Sequence, residues 1–285
     1  MTSLAFLRAG PLTTVQDLGR PGLAHLGVPP SGAADRSALE LGNRVVGNDP
    51  DAAGLEASLV GPTVRFDGPA VVALAGADAG ATLSGRRVVR GEAVVAVSGD
   101  VLELGRCIGG ARAYVCVRGG IDVEDTLGSR STDLLTGLGP APLRDGHVLR
   151  IGSEAGLPPP RAEPVVAAPV EPVLRVVPGP RHDWFAPGAL DVLLSAVWGV
   201  TPATNRVGIR LDGPSLERRT AGELLSEGMV TGALQVPPSG RPILLLVDHP
   251  TTGGYPVIAV VATADLSAAG QLAPGDTVRF MAFHP

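Results

Sequence analysis

Four arginines in the chain stand beside glycine-rich or polar turns: Arg20 in Leu-Gly-Arg-Pro-Gly, Arg118 ahead of Gly119 and Gly120, Arg130 in Gly-Ser-Arg-Ser-Thr-Asp, and Arg206 after Asn205. An arginine fork next to backbone N–H donors is the combination that holds carboxylates, phosphates and developing oxyanions. A further cluster, Asp248-His249-Pro-Thr-Thr-Gly-Gly-Tyr-Pro, offers the hydroxyls and backbone donors of Thr251 and Thr252. Gly253 and Gly254 beside them let a ligand come close to the main chain. Asp248 is a candidate to orient His249 as a base, although neighbouring residues on a strand point to opposite faces. Gln16 and Asn43 carry neutral amides suited equally to reading a ligand and to satisfying buried backbone. Asp17, Asp35 and Asp133 have the surroundings of turn or helix caps, and an arginine such as Arg118 is as suited to bracing a turn through carbonyls as to touching a substrate.

Composition removes several classes of chemistry. All 23 basic residues are arginine. A chain without lysine has no Walker A phosphate loop, no Schiff-base amine and no attachment point for biotin. The net charge is -5 and the arginines are spread along the sequence, which argues against nucleic-acid binding. Cys107 and Cys116, close enough to flank one hairpin, read as two buried thiols rather than a disulfide or half a zinc site. His25, His147, His182 and His284 lack metal-ligand spacing, so no structural metal is expected.

The elements that must position these groups are mostly strands. With 39 glycines and 27 prolines the chain is cut into short segments. Between them lie β-branched runs at 71–74, 94–97, 101–104 and 114–117. The phrases 99–104, 146–151 and 275–280 each read as a tight turn feeding an alternating strand, the units of barrels and sandwiches. Helices are few. Asp35 caps one that runs to about Val46 and stops at Gly47, and a second is expected from Pro187 through Leu190, Leu193, Leu194, Val197 and Trp198 to Gly199. The 285 residues suit two lobes at roughly 100–200 residues each. The expected division is a β-rich lobe over 1–156, a proline-rich linker over 157–172 and a second β-rich lobe over 173–285. Val-Pro-Pro-Ser-Gly recurs at 28–32 and 236–240, and Val-Arg-Phe-Asp-Gly-Pro (64–69) is echoed by Ile-Arg-Leu-Asp-Gly-Pro (209–214), in reversed order. Apolar runs such as 243–247 and 257–262 fall far short of the ~20 residues of a membrane helix, and no secretory leader is recognisable, which together point to the cytoplasm.

The phrases at 13–22, 27–35, 41–48, 56–61, 117–133, 226–232 and 248–256 together resemble the family that includes the C-type subunit of 5-oxoprolinase, allophanate hydrolase subunit 2 and the carboxyltransferase domain of urea amidolyase. The most specific are Thr-Val-Gln-Asp-Leu-Gly-Arg, Arg-Gly-Gly-Ile-Asp followed by Gly-Ser-Arg-Ser-Thr-Asp, and Thr-Thr-Gly-Gly-Tyr-Pro. The resemblance implies a mainly β fold with a few helices, in two β-rich lobes of the cyclophilin-like barrel type. It implies one member of an ATP-dependent 5-oxoprolinase complex, inactive alone, that works with a B-type partner and a third, A-type component to open 5-oxo-L-proline to L-glutamate. ATP then acts at the level of the complex, and biotin is the less favoured cofactor. Carried onto this sequence, Arg118, Asp248 and Arg130 are the catalytic candidates. Gln16, Asp17, Arg20, Asn43, Gly119, Gly120, Asn205, Arg206 and the 251–255 run ending in Tyr255 are the substrate-binding candidates, expected around a cleft where 13–20, 118–133 and 248–255 converge.

Two alternatives accompany that reading. One is biotin-dependent carboxyl transfer, or a role like that of the allophanate hydrolase protein. The other is a regulatory module, since a related pair of proteins inhibits and releases a histidine kinase. Many family members carry a basic residue after the Tyr-Pro and a glutamine before the Thr-Thr, where this chain has Val257 and Pro250. That departure weakens carboxyl transfer more than oxoprolinase chemistry.

Overall fold

Within the strand Ile108–Val117, the residues from Ala113 to Val117 are buried at every position because both faces are covered there. Ala113, Val115 and Val117 point into one core, while Tyr114 and Cys116 point into another. The neighbouring strand Ala70–Asp78 divides in the same way, with Val72 and Leu74 on one side and Ala73 and Ala75 on the other. This is the period of two expected of a strand, written in apolar residues throughout.

The computed structural model describes residues 2–165, 171–219, 222 and 224–283. They form two compact units, one of residues 1–20 and 31–168, the other of residues 21–30 and 169–285. The fold is mainly β, with three α-helices among the described residues.

In the first unit a five-stranded antiparallel sheet runs in the order Thr13–Gln16, Gly54–Ser58, Ile108–Val117, Ala70–Asp78, Ala93–Ala96. A seven-stranded sheet includes Ser3–Arg8 between Val148–Ile151 and Thr63–Phe66, and continues through Val101–Glu103. Leu4, Phe6, Val64, Phe66 and Leu102 from this sheet meet Val15, Leu55, Leu74 and Val115 from the other in one buried core. The outer face of the five-stranded sheet is covered by helix α1 (Arg36–Val46), whose Leu39, Val45 and Val46 pack on Ala73, Ala75 and Cys116. The approach is close: a Cβ on Gly42 would stand 2.6 Å from the Cys116 sulfur. Asp35 caps α1 by accepting from the Ala38 N–H, and Gly47 ends it with φ 79°, as the sequence expects.

One buried carboxylate ties these parts together. Glu56, 1% exposed, accepts from the Ala34 N–H at 2.9 Å and from the Tyr114 hydroxyl at 2.7 Å, and lies 3.4 Å from the Arg112 guanidinium. The Tyr114 oxygen in turn accepts the N–H of Asp35, the helix cap.

The second unit is built on a closed seven-stranded barrel in the order Val173–Pro178, Val257–Val261, Ala233–Gln235, Ile243–Leu245, Gly208–Asp212, Trp198–Val200, Thr277–Ala282. The closing pair, Val173–Pro178 with Thr277–Ala282, is parallel. Leu174, Ile209, Leu234, Leu244, Ile258 and Phe280 fill the interior. Helix α2 (Ala189–Ser195) is shorter than the sequence suggests. Ala196 turns extended and Trp198 belongs to a barrel strand, where its buried indole N–H donates to the Leu193 carbonyl at 3.0 Å and satisfies the helix's last turn. The third helix, α3, is Leu266–Gly270.

The turn-strand phrases fold as read: Gly99, Gly146 and Gly275 all have positive φ and precede the strands Val101–Glu103, Val148–Ile151 and Thr277–Ala282. The echoed phrases share an alternation, with Arg65 and Arg210 outward and their apolar neighbours inward. The proline-rich stretch is not loose over its described first part. The Arg161 N–H donates to Val45, the Glu163 N–H donates to Gly91, and Glu163 pairs with Arg44 at 3.1 Å. A Cβ on Gly47 would stand 2.3 Å from the Pro158 carbonyl oxygen, so the glycine that ends α1 also makes room for this strap. Residues 166–170 lie outside the described residues. Gly47→Ala, placed at positive φ against that carbonyl, is expected to lower stability by about 1–3 kcal/mol. It should also expose residues 157–163 to proteolysis; unchanged melting and unchanged cleavage would show that the strap does not depend on this contact.

Candidate functional site

The first unit brings residues 13–20 and 126–133 into one interlocked group. Asp17, leaving the strand Thr13–Gln16, accepts at Oδ1 from the Gly19 N–H (2.8 Å) and the Ser129 hydroxyl (2.6 Å), and at Oδ2 from the Arg130 N–H (2.6 Å). Arg20 answers from the same strand end: Nε donates to the Thr126 carbonyl at 3.2 Å and Nη2 to the Ser131 carbonyl at 2.7 Å. Gln16 donates to the Thr14 hydroxyl and the Thr132 carbonyl, both at 3.0 Å, while Gln16 Oε1 and Thr132 Oγ1 are buried without a hydrogen-bond partner among the described residues. Asp133 caps its own turn through Leu135 N and the Thr136 hydroxyl.

Beside this group opens a cavity of about 300 Å³ lined by Asp17, Asn48, Gly119, Ser129 and Arg130, with Asp49, Asp51 and Asp125 around it. Arg130 is exposed and spends only Nε inside the protein, on the Val123 carbonyl at 2.8 Å. The nearby amides are structural. Asn43 donates to the Ala52 and Pro50 carbonyls and accepts from Asn48, which itself donates to Val117 and accepts from the Gly119 N–H. Gly119 and Gly120 both have positive φ; a Cβ on Gly119 would lie 2.4 Å from the Gly152 carbonyl.

Arg118 has a different surrounding from the one expected of a substrate-facing cation. Its Nε meets Glu154 at 3.0 Å, Nη1 donates to the carbonyls of Val46 and Pro158, and Nη2 donates to that of Leu157. This is the geometry of a brace joining the C-terminus of α1 to the strap.

In the second unit Asp248 and Arg206 form a fully buried fork-to-fork pair at 2.9 and 3.0 Å. Asp248 is therefore engaged with Arg206, while His249, 3% exposed, has Nδ1 2.8 Å from the Pro250 carbonyl. Asn205 stabilises the adjoining turn by accepting from Val207 and Gly208. Thr252–Gly253 pairs with Glu227–Gly228, and the Thr251 carbonyl accepts from Met229. A Cβ on Gly253 would lie 2.5 Å from the Gln235 side-chain nitrogen, which donates to the Tyr255 carbonyl at 3.2 Å. Gly254 and the exposed Tyr255 line a cavity of about 950 Å³ together with Arg218, whose guanidinium carbon lies 5.8 Å from the Tyr255 ring centroid. Sequence reasoning missed Arg218 because Glu217-Arg218-Arg219 has no glycine turn beside it. Its one signal is position, between the echoed Ile-Arg-Leu-Asp-Gly-Pro and Val-Pro-Pro-Ser-Gly phrases.

Neither cysteine is placed to be a nucleophile. Both are free, one immediately before and one within the same strand rather than across a hairpin, and burial pushes the Cys107 thiol up to about 11 and the Cys116 thiol up to about 12. Burial, and after it the Glu56 and Asp35 charges, also raises Tyr114 well above its usual value. Among the described residues no group of three or more His, Cys, Asp or Glu is arranged to hold a metal ion; His284 lies outside them.

Comparison with known proteins adds the following. Residues 26–282 match the family model described as carboxyltransferase domain, subdomain A and B. The chain is 39% identical to the C-type subunit of the 5-oxoprolinase of Escherichia coli (strain K12), covering 98% of this chain and 90% of that protein. The crystal structure of TTHA0988 superposes with a TM-score of 0.90 at 37% identity over 99% of this chain, which spans 56% of that one. The urea amidolyase of K. lactis superposes with a TM-score of 0.91 at 33% identity, again over 99% of this chain but only 19% of the amidolyase.

Arg118→Ala is expected to lose about 2–4 kcal/mol of stability, since it leaves several carbonyls without their charged donor. A loss of activity at unchanged melting temperature would instead assign Arg118 to a ligand. The cysteines give a second expectation. The folded chain holds both thiol protons more tightly than the unfolded chain, whose ordinary value is 9.0, so this contribution is complete below pH 9 and is lost as pH rises through about 11 and about 12. Native protein at pH 8 should resist iodoacetamide at both positions and react fully once unfolded.

Proposed function

The chain belongs to the carboxyltransferase-domain family, subdomains A and B, that includes the C-type subunit of 5-oxoprolinase, and on that premise we propose that it fills the same place in an ATP-dependent 5-oxoprolinase. It acts with a B-type partner and an A-type component to open 5-oxo-L-proline to L-glutamate. The observation that carries this reading is the extent of the likeness. The relation to the E. coli protein covers 90% of that chain, whereas the urea amidolyase is matched over 19% of its length.

The geometry supports a shared role. The cavity of the first unit is lined by four aspartates and one exposed arginine, a balance that repels the polyphosphate of a free nucleotide. The chain has no lysine for a phosphate loop. Nucleotide is therefore handled at the level of the complex, and this chain contributes surfaces for the organic substrate. Arg130 is the catalytic candidate whose guanidinium remains largely uncommitted, and Asp17 holds its backbone in place.

Carboxyl transfer is the second reading, favoured by the amidolyase superposition. Against it, Val257 is buried in a cluster with Met229, Ala233 and Leu245, at the place where the family resemblance implies a basic group.

The chain alone should show no 5-oxoproline-dependent ATP hydrolysis, and mixing it with its B-type and A-type partners should restore it. Robust hydrolysis by the single chain would overturn the shared role. A reconstituted complex that consumes no 5-oxoproline but carboxylates a substrate from carboxybiotin would replace the first reading with the second.

A further inference from the structure

Arg218 projects from a segment fixed on both sides. The Leu216 N–H donates to Gly240, Ala186 donates to the Glu217 carbonyl, Arg219 donates to Trp184, and Phe185 bridges Arg218 itself. Its guanidinium is half-buried and lies over the Tyr255 ring; Nη2 donates to the Val236 carbonyl, and Nε is covered without a partner. Nη1 makes no hydrogen bond among the described residues, and Arg218 is part of the cavity wall. Among the described residues no carboxylate lies within ion-pair distance of this cation, in contrast to Arg206, Arg175 and Arg181 of the same unit. Burial lowers its pKa, which is the mark of a cation that has lost water without gaining a counter-ion. A fixed, partly desolvated guanidinium facing a cavity is arranged for an anion that arrives from outside.

The lining also limits which anion. Glu217 stands on the same cavity wall and is exposed, so among the described lining residues the charges of Arg218 and Glu217 offset each other. That balance tolerates a single negative charge and opposes a polyphosphate. Leu216, Leu224 and Pro238 supply apolar wall for a compact body. We infer that the cavity around Arg218 and Tyr255 is a binding site for a small monocarboxylate, its carboxylate on the open edge of Arg218 and its body against Leu216 and Pro238. 5-Oxoproline is a molecule of this class. Only that identification rests on the oxoprolinase reading; the site itself does not.

Calorimetric titration of the full chain tests this with four probes: 5-oxo-L-proline, cyclopentanecarboxylate, the uncharged 2-pyrrolidinone, and pyrophosphate. Both carboxylates should bind at millimolar concentration or tighter and the other two should not. Arg218→Gln should weaken carboxylate binding by about tenfold or more. Glu217→Gln, at an exposed position, should tighten it by about two- to fivefold. Binding of cyclopentanecarboxylate without 5-oxo-L-proline would support the site and count against the oxoprolinase reading. Equal affinity in a folded Arg218→Gln, preference for pyrophosphate, or the absence of carboxylate binding would each overturn the site. If Arg218→Gln does not fold, Glu217→Gln decides, and unchanged affinity there overturns it.

Discussion

The first unit depends on a carboxylate that water does not reach. Glu56 lies on the second strand of the five-stranded sheet and collects a backbone N–H from the 31–35 loop, the Tyr114 hydroxyl from the central strand, and the Arg112 charge. Through the Tyr114 oxygen it also reaches the N–H of Asp35, which caps α1. A buried ion becomes tolerable only when its neighbours satisfy it, so sheet, loop and helix are held to one relative placement. The Asp17 and Arg20 interlock hangs from the first strand of that same sheet, and the cavity beside it inherits that order.

Most of the polar motifs in this chain serve the backbone. Arg20 and Arg118 spend their nitrogens largely on carbonyls, Asn43 and Asn48 satisfy each other and adjacent main chain, and Arg206 is matched by Asp248. A fold with this many glycines and prolines leaves many carbonyls without a ladder partner, and long cations and amides are the side chains able to meet them. Among the arginines of these motifs, Arg130 keeps its terminal nitrogens out of internal hydrogen bonds, and it lines a cavity.

This explains what the sequence could and could not disclose. Helix α1 was legible from both ends because Asp35 and Gly47 act on neighbouring backbone. The turn-strand phrases were legible because a positive-φ glycine and a period-two strand are local properties. The end of α2 was not, since Trp198 continues the helical spacing and leaves the helix only because a barrel strand recruits it. The duties of the arginines were not legible either. Arg118 beside two glycines suits a brace and a ligand contact equally, and Arg218 stands in a charged run with no turn to mark it, because a carbonyl acceptor many residues away carries no signature of its own.

The parallel pair that closes the barrel also governs when the barrel can exist. Val173–Pro178 must wait for Thr277–Ala282, about a hundred residues later in synthesis, before its second edge is paired. Until then the growing chain presents an open, apolar sheet whose closure entropy has yet to be offset, a topology that folds slowly. A ribosome translating this message therefore completes the first unit well before the second, and chaperone demand should concentrate in the interval between them.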